Sequence, residues 1–461
     1  MIAAVIGLLL PVAAVWLWAR AFASSVYTRG STLLSVALAF ALGIGAASVT
    51  TFWFVVSGGA IGRGFVAADA LLWTLVSVGA LRRLRRTPLS DRWRADAAGS
   101  SPASRLTPAD WLARIVFALV AAVALSTIVT EYIASPHGQW DAWAIWNQKA
   151  RFLIRGGDKW DAFLGVSWSI PSHPLLVSVS VARLWAYAGA ELTLVPAMLS
   201  FSFAAACVAA VMAALDLRRR RAWIAGAVLL APATFVQQAA AQTSDLPAGL
   251  FVVTTLIMLR NANWGAATEA RGALFFAGVA GSLAAWTKNE GLLLFSVATF
   301  FVACIALGRG RIRPLAWWAA GAAPALLTIA WLKLTIAQMP PGYLAEGDTL
   351  ATLVGRFLSP QRQAVVGKLV WQYVIRWGGP RAAGALPLAM AAAAVGACTS
   401  GGRQVRGEVA IVALMMVGYY AVWLVSPLDT VWLVGTSFDR VLIQMWPPIV
   451  LAAFSTEYGR V

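Results

Sequence analysis

Apolar residues in this chain do not alternate with polar ones. They come in long runs broken by short polar or basic stretches, and a run of about 20 residues crosses a hydrocarbon core of roughly 30 Å as a helix. Such runs lie at 2 to 19, 31 to 56, 64 to 81, 111 to 133, 193 to 215, 222 to 240, 245 to 260, 272 to 288, 290 to 307, 314 to 336, 381 to 398, 408 to 426 and 440 to 456. The pattern predicts an all-α, polytopic transmembrane helical bundle of about thirteen spans. The first run, MIAAVIGLLLPVAAVWLWAR, lacks a basic leader and stays apolar too long for a cleaved signal peptide, so it reads as a retained span.

Composition agrees: 60% of the residues are hydrophobic and 12% charged, against about a quarter charged in soluble domains. The net charge of +17 changes the picture more, because in such a chain Lys and Arg record topology and contact with anionic lipid, not nucleic-acid binding. A linker with Arg82, Arg83, Arg85, Arg86, Arg92, Arg94 and Arg105 is expected inside, and its DRWRADAAGSSPASRLTP portion reads as flexible. Alternating the spans then puts Arg218 to Arg221, Arg260, Arg271, Arg309, Arg311, Arg313, Arg403 and Arg406 inside as well. The N-terminus is expected outside, the C-terminus inside, with external loops at 134 to 192 and 337 to 380. A crossing at 172 to 192 would reverse the Arg218 to Arg221 cluster, so that apolar segment is expected to lie along, or dip into, the outer leaflet. Three regions follow: extra N-terminal spans and the linker (1 to 110), a core carrying the first external loop (111 to 310), and C-terminal spans (311 to 461). Cys207, Cys304 and Cys398 stand singly and read as small buried hydrophobes.

The long polar interruption at 131 to 174 holds both histidines, His137 and His173, and five tryptophans. Within it the helical period puts Asp141, Gln148, Arg151 and Arg155 on one stripe, with Trp143, Trp146, Ala150, Leu153 and Ile154 mostly on another. That spacing predicts an amphipathic interfacial helix with its tryptophans at head-group depth and its cations toward lipid phosphates. A plain anchor has no use for Asp141, which an anionic membrane would repel.

Burying a charge at mid-membrane costs roughly 3 kcal/mol or more, so ionisable residues near spans are informative. Only Asp69 falls well inside a run; the rest gather at external helix ends. Asp245, in Gln-Thr-Ser-Asp, suits a helix cap or a site; Lys288 and Glu290 suit a local ion pair; Arg440, in Thr-Ser-Phe-Asp-Arg, suits snorkelling to the interface.

The order WDAWAIWNQKARFL, HPLL, a Pro-initiated span ending in Arg218 to Arg221, QTSDLPAGLFVV and GSLAAWTKNEGLLLF is similar to the membrane glycosyltransferases of the GT-C class, which include protein O-mannosyltransferases and the aminoarabinose transferase acting on lipid A. The likeness covers about 111 to 310 and, loosely, the Arg440 region. It implies a GT-C-like bundle, a polyprenyl-phosphate-linked sugar donor, and a glycan, lipid or protein acceptor on the extracytoplasmic face of the cytoplasmic membrane. It also implies that Asp141 is the catalytic residue of the first external loop, with Asp245 and Lys288 matching later positions. The chain departs from the class in two ways. Three extra spans precede the loop, and no second acid stands beside Asp141, so no metal is assigned and a divalent ion is not evident.

The chemistry fits independently. Glycosyl transfer through an oxocarbenium-like state calls for a carboxylate, and Asp141 can serve as general base on an acceptor hydroxyl. Lys288, Arg440 and Arg151 are candidates to stabilise the leaving phosphate, His173 and Glu290 to position substrate, and Trp140 and Trp143 to offer apolar faces. Two alternatives stay open: a lipid-linked polysaccharide ligase or polymerase using a diphosphate donor, and a transporter or flippase of lipid-linked sugars, which would place ionisable groups near the midplane.

Overall fold

The computed structural model describes residues 1–22, 32–85, 106–165, 170–262, 264, 267–336, 347–380, 382–398 and 403–455. The linker arginines Arg86, Arg92, Arg94 and Arg105, and Glu346 in the second external loop, lie outside them.

Among the described residues the chain is helical with no strand. Its helices are α1 (Ile2–Phe22), α2 (Thr32–Val56), α3 (Arg63–Arg85), α4 (Pro108–Ala134), α5 (Asn147–Arg155), α6 (Leu176–Ala188), α7 (Leu194–Ala214), α8 (Arg220–Leu230) and α9 (Ala233–Ala241). They continue as α10 (Asp245–Asn261), α11 (Ala267–Thr287), α12 (Glu290–Gly308), α13 (Arg313–Thr335), α14 (Leu350–Leu358), α15 (Pro360–Arg376), α16 (Ala385–Cys398), α17 (Arg403–Val425) and α18 (Thr430–Ser455). Among the described residues eight helices are long and apolar enough to cross a membrane, nine if α8 and α9 count as one span. The chain is a helical membrane protein.

Local sequence explains the boundaries. The α4 start is a capping box: Thr107 accepts from the Asp110 amide at 3.3 Å while the Asp110 side chain accepts from the Thr107 amide at 2.9 Å, with Pro108 pre-set in the first turn. The run at 222 to 240 is bent by 71° between α8 and α9, where Pro232 has no amide hydrogen with which to continue α8. Small residues let α11 and α13 touch backbone to backbone: a Cβ on Gly278 would run into the Trp318 carbonyl, and one on Gly321 into that of Phe275.

The helix at 176–188, expected to lie along or dip into the outer leaflet, is covered by protein and presents little surface to lipid. α6 is buried on almost every face and packs against α1, α2, α3 and α5. Its one charge is the reason it can go inside. Arg183 pairs with Asp69 of α3 at 2.6 Å and donates to the Gly7 carbonyl at 2.7 Å, while Tyr187 and Trp73 also donate to Asp69 at 2.7 and 3.1 Å. A buried charge is tolerable when every lone pair has a donor, and here a carboxylate and a guanidinium satisfy each other.

The cysteines divide. Cys207 is buried, but Cys304 and Cys398 lie on the outer surface of the bundle, so only the first fits the reading as a core hydrophobe. In an apolar run the composition looks the same for either side, because lipid and core are equally greasy.

The helix directions segregate charge. α10 and α12 begin, and α11 and α13 end, at a rim that holds Asp245, Lys288, Glu290 and Lys333, and α18 passes it at Arg440. Their other ends carry Arg260, Arg271, Arg309, Arg311 and Arg313. With 21 residues in α11, the two rims stand about 30 Å apart at 1.5 Å per residue.

Candidate functional site

Four separate stretches of sequence meet at the first rim. Asp245 opens α10 and is fully buried, with Ser244 at the cap position. Its carboxylate does more than cap. Oδ1 accepts from Lys288 Nζ at 2.7 Å and Gln444 Nε2 at 3.1 Å, and Oδ2 accepts from Arg440 Nε at 3.1 Å and Thr243 Oγ1 at 3.4 Å. Lys288 also meets Glu290 at 2.8 Å, so the local pair read from the sequence is one half of a larger arrangement. Arg440 turns its other nitrogen to Asp141, Nη2 to Oδ2, at 2.7 Å. Asp141, Arg440, Asp245, Lys288 and Glu290 thus form one chain of alternating charge, three carboxylates on two cations.

Exposure is graded along it. The Asp245 and Lys288 side chains are 0% and 4% exposed, whereas Arg440 is 30% and Asp141 22% exposed. Of the two ends, Asp141 is the more open, 22% exposed against 15% for Glu290, and its Oδ1 has no partner among the described residues. Burial alone would pull the Lys288 ammonium down, but the Asp245 and Glu290 carboxylates outweigh it and hold it above the ordinary lysine range.

Local structure aims Asp141. It immediately precedes a π-helical turn, Ala142–Trp146, of the kind that often marks functional positions by re-aiming side chains. The loop before it is tied to the 242–245 corner: the Gln139 amide donates to the Ala241 carbonyl at 3.2 Å, and Gln242 accepts from Asn147 at 2.9 Å and donates to the Pro136 carbonyl at 3.0 Å. Gln242 holds a left-handed φ of +60° to make that corner.

A second, cationic group lies beside the first. Lys333 donates to Asn289 Oδ1 at 2.9 Å and to the Ser172 carbonyl at 3.0 Å. Because the lysine can only donate, the Asn289 oxygen faces it, and the amide nitrogen faces His173 Nδ1 at 3.3 Å. Nδ1 is then the acceptor and the imidazole proton sits on Nε2. Burial, followed by the charges of Lys149, Lys288 and Arg440, holds His173 well below the ordinary histidine range, and its ring stacks on Trp146 with centroids 5.5 Å apart. Beneath it Lys149 donates to the Ile170 and His173 carbonyls at 3.0 and 3.4 Å; burial, then the charge of Lys333, lowers it to about 7.

Five of the residues singled out from sequence, Asp141, Asp245, Lys288, Glu290 and Arg440, are brought together, with His173 adjoining. Arg151 is not among them. It pairs with Glu191 at 3.3 Å and lies over the Trp185 ring, and Arg155 joins the same glutamate, so both cations help tie α5 to α6. Trp146 is fully buried, which corrects its interfacial assignment, while Trp140 and Trp143 are exposed and set edge to face at 6.0 Å. Asn147, Lys149, Gln242, Asn289, Lys333 and Gln444 were missed as site residues. Gln444 had a signal, a polar residue one helical turn beyond Arg440 in an apolar run.

Among the described residues no group of three or more His, Cys, Asp or Glu side chains could hold a metal ion. Two hollows lie elsewhere, one apolar between α4, α7, α8 and α9 and one basic at the opposite rim. The chain matches no protein-family model, no curated protein and no solved structure.

Proposed function

We propose that the protein is an integral-membrane inverting glycosyltransferase that moves a sugar from a polyprenyl-phosphate donor to an envelope acceptor at the extracytoplasmic face of the cytoplasmic membrane. In this reading α10, α11, α16 and α18 cross with the nine spans counted above, giving the thirteen of a GT-C-like bundle. The observation that carries it is the Asp141 carboxylate, half-open at a rim, with one oxygen held by Arg440 and the other without a partner among the described residues.

The acceptor hydroxyl is placed against Asp141 Oδ1. Its oxygen forms the new bond to the anomeric carbon as the carbon–oxygen bond to phosphate breaks, the hydroxyl proton passes to Asp141, and the phosphate leaves with the electron pair, inverting the centre. Arg440 fixes the carboxylate, and Lys288 holds Asp245 so that Arg440 is fixed in turn. Because both of these cations are engaged by acids, the phosphate is better assigned to Lys333, which has no carboxylate partner among the described residues, and to the Nε2 proton of His173. The exposed Trp140 and Trp143 rings offer the sugar an apolar face.

The transporter alternative drew on Asp69, and that residue is closed off by Arg183, Tyr187 and Trp73. The test pairs mass spectrometry of envelope glycans from cells lacking the protein with transfer assays on the purified protein, using polyprenyl-phosphate and polyprenyl-diphosphate sugars. A missing sugar and transfer from the monophosphate support the reading; an unchanged glycan profile and no transfer from either donor overturn it.

A further inference from the structure

The rim opposite Asp141 contains a hollow of about 430 Å³ between the start of α11 and the turn joining α12 to α13. Its cations are Arg271, Arg311 and Arg313, and its apolar walls include Trp264, Ile312 and Trp317. Arg309 lies against the outer side of one wall, 5.9 Å from the Trp264 ring. Nothing in the proposed reaction uses this place, which is separated from it by the length of α11.

The turn is rigidly made. The Gly310 amide donates to the Leu307 carbonyl and the Arg311 amide to that of Ala306, each at 2.9 Å, with Gly310 at φ +63°. This is a Schellman closure, and it turns the chain directly into α13, which places Arg311 and Arg313 at the start of that helix. Arg271 comes from the other side, carried by the close backbone contact of α11 with α13. Among the described residues neither Arg271 nor Arg313 meets a carboxylate. The contrast with the first rim is plain: there each group in the chain of charge answers an opposite one, and here Arg271 and Arg313 stand without a carboxylate among the described residues beside apolar walls.

We infer that this hollow is a binding site for a phosphate-bearing anion, and that the occupant is the head group of an anionic phospholipid. Guanidinium groups on two sides suit a phosphodiester, the tryptophan faces suit the glycerol region, and Ile312 and Trp317, 65% and 41% exposed, lead outward to where acyl chains would run.

Native mass spectrometry of the purified full-length protein released from vesicles of phosphatidylcholine with about 25% phosphatidylglycerol tests it. The native chain should retain phosphatidylglycerol in preference to phosphatidylcholine, and Arg271→Gln and Arg313→Gln should each lower retention about fivefold. Arg218→Gln, whose arginine is already paired with Asp216, should leave retention unchanged. A parallel titration uses inorganic phosphate with the delipidated protein. Phosphate binding with the same dependence on Arg271 and Arg313, without lipid retention, keeps the anion site but assigns it a soluble phosphate. Retention that is equal for both lipids, or indifferent to both arginines, together with no phosphate binding, overturns the inference. None of these readouts depends on glycosyl transfer.

Discussion

Arg440 bridges Asp141 and Asp245, reaching the first at 2.7 Å and the second at 3.1 Å, and so joins the loop after α4 to the start of a distant helix through one side chain. Removing it frees the Asp141 carboxylate and leaves a fully buried one short of a partner.

Arg440→Gln should therefore lose activity and stability together. Breaking a buried pair from one side costs about 3 to 5 kcal/mol, and the remaining hydrogen bonds from Lys288 and Gln444 to Asp245 put the expected loss at the lower end. Thermal unfolding in detergent measures it; an unchanged midpoint would show that the bridge holds nothing together.

Asp245→Asn should destabilise the rim by a similar amount, because Lys288 would keep only Glu290. The double variant Asp245→Leu with Lys288→Met should recover most of that stability, since apolar residues of similar volume often replace a buried pair without loss. It should not recover transfer, because Arg440 would then be held by Asp141 alone.

Lys149 makes stability depend on pH. Its ammonium is lowered to about 7 in the fold against 10.5 unfolded, so between those values the unfolded chain binds the extra proton. Stability should rise as pH increases from about 7 toward 10.5, with the full cost of burying the cation present below that window. Lys149→Met should flatten this rise in midpoint against pH; an identical slope in the variant would contradict the assignment.

Arg183→Gln tests the division between scaffold and site. It strands Asp69 among α1, α3 and α6, which predicts a loss of about 3 to 5 kcal/mol in stability with transfer per folded molecule unchanged. A selective loss of transport of a labelled lipid-linked sugar in vesicles, at normal stability, would point back to the transporter reading.

Much of this was legible in the sequence, and the failures have physical causes. The apolar runs gave the helices, and the positions of Asp141, Asp245, Lys288 and Arg440 at run ends marked the rim, because a charge near a span has few places to go. The placement of α6 was not legible. An apolar segment with one arginine looks the same whether it floats at the interface or enters the bundle, and only Asp69, more than a hundred residues away, decides between them. Arg151 misled for the same reason, since its partner Glu191 lies beyond α6. Lys333 and Asn289 were not singled out because single polar residues at helix ends are common, and their meeting with His173 depends on how α13, α12 and the loop before α6 pack.

The role of Asp141 is open to the most direct measurement: transfer from a polyprenyl-phosphate sugar by purified Asp141→Asn, alongside its unfolding midpoint. Loss of the general base should cut kcat by about 100-fold or more. Because the oxygen of the substituted amide could still accept from Arg440, the midpoint should move little. Near-normal kcat in a correctly folded Asp141→Asn protein would contradict the account.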